Sequence, residues 1–264
     1  MIGANVSFSF DYQPGDAARP PVVFMSALFA GGWIWDHPYT SLASSGRGVL
    51  RTREAICALD SKIAGSIERL GEELLAAADA AGIGAFVLCA NSLGGLVAID
   101  MSSRYPDRIA GIVVSGAPGL TPDPDVGLNM DRRASVRLAG DEFRERMLDA
   151  LFHRGRHFTE EQIEQTAQLL RRPAAMVSMA RSLKATRRFD VTAAVDRTSC
   201  PALYVWGRYD RMTPIDPWLA LLSDRPDTEF VVVEECGHIP MAERPDEYTS
   251  VLEGFLSRRA GLPV

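Results

Sequence analysis

Short apolar runs alternate with longer amphipathic stretches over most of the chain. The runs predict strands because they are short, rich in Val, Ile and Phe, and bounded by turn residues. They lie at residues 6–12, 21–25, 48–52, 85–90, 109–115, 202–206 and 229–233. The amphipathic stretches predict helices, the clearest being 61–81, which places apolar side chains on one face and acidic ones on the other. Strands that alternate with helices form a mostly parallel sheet with helices on both faces, so we predict an α/β fold.

The pattern changes between residues 120 and 199, where no strand is predicted. Charged amphipathic stretches at 139–152, 159–170 and 174–186 predict helices instead, and the second opens with a capping box at Thr159 and Gln162. We therefore predict a core formed by residues 1–119 and 200–264, into which residues 120–199 are inserted as a helical cap.

A sharp turn is predicted at Ser92, between the buried run 85–90 and the helix that follows it. Ala90 and Gly94, two residues on either side, are small enough for such a turn, which would expose the serine hydroxyl. The first free N–H groups of the helix would then favour an anion beside the serine. The alternative is a serine that only caps a helix, with the glycines serving close packing.

Two further residues with complementary chemistry follow late strands, Asp210 after 202–206 and His238 after 229–233. The carboxyl ends of parallel strands meet at one edge of a sheet, so we expect these residues to approach Ser92. A serine becomes a nucleophile when an imidazole takes its proton and a carboxylate orients that imidazole. Asp216 is the competing candidate for the acid, and His238 could alternatively be a buried core histidine.

Composition limits the classes of partner. The 28 basic and 34 acidic residues give a net charge of −6, with a pI near 5.3, which argues against binding nucleic acid or an anionic membrane. No leader-like start or bilayer-length apolar run is found, which predicts a cytoplasmic protein. The four cysteines are far apart and form no metal-binding spacing, and no nucleotide-binding glycine motif occurs, so we expect no metal and no cofactor.

The motifs together resemble those of the small, capped alpha/beta-hydrolases, esterase-like or C–C hydrolase-like. The resemblance runs nearly end to end and is carried by ANSLGG at 90–95, VWGRYDRMTP at 205–214 and CGHIPMAERP at 236–245. It implies that Ser92 is the nucleophile, His238 the general base and then acid, and Asp210 the residue that orients the histidine. It also implies an oxyanion hole formed by the backbone N–H groups of Leu28 and Leu93.

The chain departs from the family pattern at three points. Ala90 replaces the first glycine of the usual serine motif, and Ser26-Ala27 stands where His-Gly usually precedes the oxyanion residue. The link LRTREAICALD at 50–60 replaces a Pro-Gly turn. We therefore expect an altered oxyanion loop and a rebuilt pocket wall.

Aromatic residues near the predicted pocket mouth, Phe29, Trp33 and Trp35, favour a small, mainly apolar acyl substrate. The expected reaction is hydrolysis of an ester, a thioester or an activated C–C bond. One alternative keeps the three residues for acyl transfer or acyl elimination, and another is a ligand-binding receptor on a hydrolase scaffold. A monomer and a homodimer are both compatible with the sequence.

Overall fold

The fold is built on a seven-stranded sheet in the order β1-β3-β2-β4-β5-β6-β7. The computed structural model describes residues 7–120, 148–155, 157–225 and 227–259. The strands are β1 (Phe10–Gln13), β2 (Val22–Met25), β3 (Val49–Thr52), β4 (Phe86–Asn91), β5 (Ile109–Ser115), β6 (Ala202–Gly207) and β7 (Thr228–Val233). Only β1 pairs antiparallel, with β3, among these strands. The prediction of a mostly parallel α/β sheet is confirmed.

Helices connect the strands. They are α1 (Asp36–Ser44), α2 (Ser61–Ala64), α3 (Ile67–Ala80), α4 (Leu93–Arg104), α5 (Glu160–Leu170), α6 (Pro173–Thr186), α7 (Val191–Asp196), α8 (Asp216–Leu222), α9 (Pro240–Glu243) and α10 (Pro245–Arg259). Short 3-10 helices occupy Gly32–Trp35 and Ile56–Ala58, and residues 148–151 are helical. No helix in the described part of the chain has both the length and the apolar character required to cross a bilayer.

Burial explains why the strands could be predicted. Every residue of β2, β4 and β6 is buried, as expected of central strands covered on both faces. By contrast, β1 is half-buried to exposed, which suits its place at the edge. Each apolar run singled out in the sequence overlaps one of the seven strands, with boundaries that agree to within four residues.

The single helix predicted over 61–81 is wrong, because the structure has two helices there. The helix α2 ends before Gly65, and α3 begins after Ser66. The Ser66 hydroxyl accepts a hydrogen bond from the Arg69 N–H at 3.3 Å. A serine that caps a helix competes with continuation of the preceding one. The break also brings α2 against α6, where the Ser182 hydroxyl donates to the Ala64 carbonyl at 2.6 Å.

The described part of the predicted cap is helical. The capping box at Thr159 and Gln162 is present, and α5 and α6 lie where the sequence predicts helices. The helix predicted at 139–152 falls largely outside the described residues, which begin again at 148. The cap boundaries therefore stay a prediction.

Candidate active site

Ser92 occupies a strained turn between β4 and α4. Its backbone has φ 55° and ψ −126°, a positive φ that is rare for a residue other than glycine. Its N–H donates to the Ser115 carbonyl at 2.8 Å, which holds the turn against β5. The Ser92 hydroxyl makes no capping hydrogen bond to α4, so the alternative of a simple helix cap is wrong. The predicted strand–turn–helix is present, and Ala90 is accommodated within it.

Asp210 and His238 form a buried hydrogen-bonded pair. Oδ2 of Asp210 lies 2.8 Å from Nδ1 of His238, and both residues are almost completely shielded from solvent. The pair forms because the turns after β6 and β7 are adjacent in the sheet. Asp216 is exposed at the start of α8, so the structure selects Asp210 over it as the partner of the histidine.

The Asp210 carboxylate is surrounded by donors. Its Oδ1 accepts the N–H groups of Met212 and Thr213, each at 2.8 Å, in an Asx-type turn. Its Oδ2 accepts the Thr213 hydroxyl at 2.7 Å in addition to the His238 ring. Four donors thus replace the water that a buried carboxylate loses. They also fix which oxygen faces the imidazole.

Ser92 and His238 stand at the same edge of the sheet and are joined through their neighbours. The Nδ2 amide of Asn91 donates to the carbonyls of Ser115, at 3.2 Å, and His238, at 3.1 Å. No hydrogen bond between the Ser92 hydroxyl and the His238 ring is found among the described residues. Such bonds are often long before substrate binds.

Gly116 provides the surface on which the His238 ring rests. A Cβ atom at Gly116 would lie 2.7 Å from Cε1 and 2.8 Å from Nδ1 of the ring. Gly116 also has a φ of +58°, which side chains other than glycine rarely adopt. Glycine at this position therefore allows β5 to approach the imidazole closely.

The altered loop after β2 is braced by serine in place of the usual histidine. The Ser26 hydroxyl lies 2.9 Å from the Thr52 carbonyl and 2.8 Å from the Thr52 hydroxyl, while the Ser26 N–H donates to that hydroxyl at 2.9 Å. The Cys57 N–H donates to the Leu28 carbonyl at 2.8 Å. In the described structure, the N–H groups of Leu28 and Leu93 donate to no other group. Both amides thus have no acceptor among the described residues.

An aromatic cluster joins the 3-10 helix that follows β2 to residues 152 and 158 of the predicted cap. Trp33 packs edge to face on Phe158, with ring centroids 4.4 Å apart, and Phe158 packs in the same way on Phe152 at 4.7 Å. Phe29 is buried in the loop after β2. Trp35, expected near the pocket mouth, is instead fully buried, and its indole N–H donates to the Met25 carbonyl at 3.0 Å. The 3-10 turn at 32–35 accounts for the difference, since it turns Trp35 toward the sheet.

Three residues that contact this site were not predicted from the sequence: Asn91, Thr213 and Glu243. Thr213 could have been found from its spacing, because Asp-x-x-Thr is typical of a side-chain-capped turn. Glu243 reads as a surface residue in a charged segment, yet it is buried. The described residues include no cluster of His, Cys, Asp or Glu with the arrangement of a metal site.

Most of the chain matches one known family of proteins. A family model described as the alpha/beta hydrolase family matches residues 22–251. The chain belongs to the alpha/beta hydrolase family. The family predicted from the sequence motifs is therefore confirmed.

Curated relatives are named as hydrolases of 2-hydroxy-6-oxo compounds. A 2-hydroxy-6-oxononadienedioate/2-hydroxy-6-oxononatrienedioate hydrolase of Pseudomonas sp. is 30% identical over 187 residues, which is 68% of this chain and 66% of the relative. A 2-hydroxy-6-oxo-6-phenylhexa-2,4-dienoate hydrolase of Comamonas testosteroni is 27% identical, over 69% of this chain and 66% of the relative. The match thus spans 66% of the length of each of these two proteins.

Solved structures of the same fold cover nearly the whole chain. A thermophilic esterase from Thermogutta terrifontis superposes with a TM-score of 0.74 at 22% identity, covering 96% of this chain and 94% of the esterase. An enol-lactonase from Burkholderia xenovorans LB400 gives a TM-score of 0.70 at 20% identity, covering 94% and 96%. These likenesses establish the fold.

Proposed function

We propose that this alpha/beta-hydrolase acts by nucleophilic catalysis, with Ser92 as nucleophile, His238 as general base and then acid, and Asp210 as the residue that orients it. The proposal is carried by one observation, the buried hydrogen bond between Asp210 and His238 at the sheet edge where the strained turn places the half-buried Ser92. Because Nδ1 of His238 faces the carboxylate, Nε2 is the nitrogen that can accept a proton.

In the proposed reaction, the Ser92 oxygen attacks a carbonyl carbon while its proton moves to Nε2 of His238. The oxyanion accepts hydrogen bonds from the N–H groups of Leu28 and Leu93. Collapse of the intermediate breaks the bond to the leaving group, which takes the proton from His238. Water then attacks the acyl-enzyme, with the same imidazole as base, and releases the acid. Each oxyanion donor contributes about 3 to 4 kcal/mol to lowering the barrier.

The proposed substrate is a small, mainly apolar acyl compound whose scissile bond is an ester, a thioester or an activated C–C bond. The aromatic cluster of Trp33, Phe152 and Phe158 supports an apolar pocket wall. The names of the curated relatives favour 2-hydroxy-6-oxo-dienoate compounds as the first C–C substrates to test.

A serine-reactive fluorophosphonate tests the nucleophile directly. We expect one label per chain, mapped by peptide mass spectrometry to Ser92. The Ser92→Ala variant should fold with an unchanged melting temperature, bind no label and lose turnover of p-nitrophenyl esters by at least about a thousandfold. Intact, folded protein that takes up no label at Ser92 would contradict the proposal.

Products formed in ¹⁸O-labelled water separate hydrolysis from acyl transfer or elimination on the same residues. Hydrolysis places one solvent oxygen in the carboxylic acid product. Acyl transfer to an added alcohol or thiol instead forms a new ester or thioester that contains no solvent oxygen. An assay of a 2-hydroxy-6-oxo-dienoate beside p-nitrophenyl acetate then distinguishes C–C from ester hydrolysis.

A further inference from the structure

Glu243, the last residue of α9, is a buried carboxylate in contact with the loop that carries His238. The residue is only 5% exposed to solvent. Its Oε2 accepts the N–H of Gly237 at 2.7 Å, and Gly237 immediately precedes the histidine. A buried carboxylate is costly unless donors surround it, so these contacts are required for the side chain to stay inside.

The same carboxylate also binds the first described segment of the predicted cap. The His153 N–H lies 3.0 Å from Oε1 and 3.2 Å from Oε2 of Glu243, and the Arg154 N–H lies 3.3 Å from Oε1. A second link runs in parallel, because the His238 N–H donates to the Leu151 carbonyl at 2.7 Å. The histidine loop and residues 151–154 are therefore joined by hydrogen bonds at two points, Glu243 and Leu151.

Close backbone packing leaves this loop little freedom. A Cβ atom at Gly237 would lie 2.6 Å from the Leu151 carbonyl oxygen and 2.8 Å from the His153 nitrogen. On its other side, a Cβ atom at Gly207 would lie 2.0 Å from the Gly237 oxygen. Three N–H groups converge on Glu243 here, and the buried one, that of Gly237, would lose its acceptor if the carboxylate were removed.

We propose that Glu243 is a positioning residue, whose carboxylate fastens the histidine loop to the base of the cap and so sets where the His238 imidazole stands relative to Ser92. This inference rests on the proposed function, in which His238 takes the serine proton. A displacement of about 1 Å at a reacting group reduces the rate by about a hundredfold. The carboxylate touches no reacting atom, so its effect acts through the loop.

Glu243→Gln is the direct test. The amide keeps the size of the side chain but offers one acceptor oxygen where two are used, and its NH₂ group faces a backbone donor. We expect kcat on p-nitrophenyl acetate, counted per Ser92 titrated with fluorophosphonate, to fall about 10- to 100-fold. KM should change less than threefold, and Glu243→Asp should recover part of the loss by restoring the charge.

Glu234→Gln is the matched control. Glu234 lies in the same connection after β7 but is exposed and pairs with Arg208 at 2.8 Å. Removing this charge should leave kcat within twofold of the wild type. A merely structural role for Glu243 would lower the fraction of titratable sites and leave the kcat of each remaining site unchanged, which would overturn the inference.

Hydrogen exchange gives a readout that does not depend on activity. In the wild type, we expect slow exchange of the Gly237, His153 and Arg154 amides, and in Glu243→Gln all three should exchange at least tenfold faster. Fast exchange in the wild type would overturn the inference. Gly237→Ala, which forces the loop away from Leu151 with Glu243 intact, should reproduce the loss of kcat if Glu243→Gln does not fold.

Failure of the proposed function is distinguishable from failure of this inference. Folded wild-type protein without a fluorophosphonate label at Ser92 would remove the catalytic role of His238. A lower kcat per titrated site only in Glu243→Gln, with a normally labelled and active wild type, instead supports the positioning role.

Discussion

At the scale of single residues, the Thr213 hydroxyl is the contact that most directly affects the acid–histidine pair. It donates to Oδ2 of Asp210, the oxygen that also faces His238. A neutral donor bonded to a charged acceptor contributes about 1.5 to 3 kcal/mol. Thr213→Val keeps the shape and removes the donor, so we expect kcat/KM on p-nitrophenyl esters to fall about 10- to 100-fold.

Thr213→Ser is the control for this prediction, since it restores the hydroxyl and loses only a methyl group. It should keep kcat/KM within about threefold of the wild type. Equal activity of the Val and wild-type proteins would show that backbone donors alone orient the carboxylate.

The cysteine thiols give a second prediction at this scale. Burial raises the pKa of Cys57 to about 12 and that of Cys200 to about 11, and it raises the thiol pKa values of Cys89 and Cys236 as well. When the pH is below the pKa of a thiol, only a small fraction of it is the reactive thiolate. At pH 8 we expect folded protein to react slowly with Ellman's reagent, the half-buried Cys200 first, and all four thiols to react in guanidinium.

The measurement is the absorbance of the released thionitrobenzoate with and without denaturant. One fast-reacting thiol at Cys57, Cys89 or Cys236 in folded protein would contradict the burial described above. In a Cys200→Ser variant, the first kinetic phase of the reaction with Ellman's reagent should be absent.

At this scale the sequence predicts candidate reactive residues but not the contacts that support them. Ser92, Asp210 and His238 follow from residue type and position after a strand, and the structure pairs the last two directly. The choice of Asp210 over Asp216 became firm only with the structure. Glu243 could not be predicted, because a glutamate among Arg and Pro residues has the pattern of a surface helix.

At the scale of elements, α4 depends on a close approach to β5. A Cβ atom at Gly95 would lie 2.9 Å from both the Ala117 Cβ and the Val114 Cγ1 atoms. Gly95→Ala should therefore push the helix that follows Ser92 away from the sheet. Overpacking of this kind costs about 1 to 3 kcal/mol, more than the alanine gains in helix propensity.

Gly84→Ala is the matched control, because a Cβ atom there meets nothing within 4 Å and the residue is exposed. We expect it to leave the free energy of unfolding unchanged or to raise it by up to about 1 kcal/mol. Urea denaturation of both variants, followed by circular dichroism, tests the contrast. Equal free energies of unfolding for the two variants would mean that α4 moves away from the sheet without destabilising the protein.

Strands were predicted correctly where burial on both faces dictates an apolar run. The helix prediction failed where a helix-capping serine starts a new helix. The fully buried β4 and β6 left little alternative to a strand. The amphipathic pattern of 61–81 continues through Gly65 and Ser66, so periodicity alone does not reveal the break. Ser66 decides the local structure through a single side-chain hydrogen bond.

At the scale of the whole molecule, Phe158 connects the predicted cap to the 3-10 helix that follows β2. Its ring packs edge to face on Trp33, and it is only 9% exposed. Phe158→Ala should destabilise the protein by about 3 kcal/mol. It should also raise KM more for p-nitrophenyl octanoate than for the acetate, because the longer chain extends toward the apolar wall.

Phe158→Leu keeps much of the side-chain volume, so the free energy of unfolding should stay within about 1.5 kcal/mol of the wild type. This variant separates the loss of stability from the change in KM. Thermal melting and a series of esters from acetate to octanoate provide the measurements. A KM that rises equally for all chain lengths would place Phe158 away from the substrate.

Convergence of distant residues was the most predictable property of the whole molecule. The rule that parallel strands end at one edge brings together Asp210 and His238 without any knowledge of side-chain packing. The distribution of aromatic side chains was less predictable, since Trp33 and Trp35 differ by two positions yet one contacts Phe158 and the other is core.

Gly116 limits how this scaffold can be engineered. The position combines a positive φ with direct support of the His238 ring. A mutant library aimed at new substrates would lose most members that vary residue 116, whatever their pocket, because both the backbone and the imidazole would have to shift. Diversity is better placed at Trp33 and Phe158, the proposed apolar pocket wall, whose ring contacts do not include the acid–histidine pair.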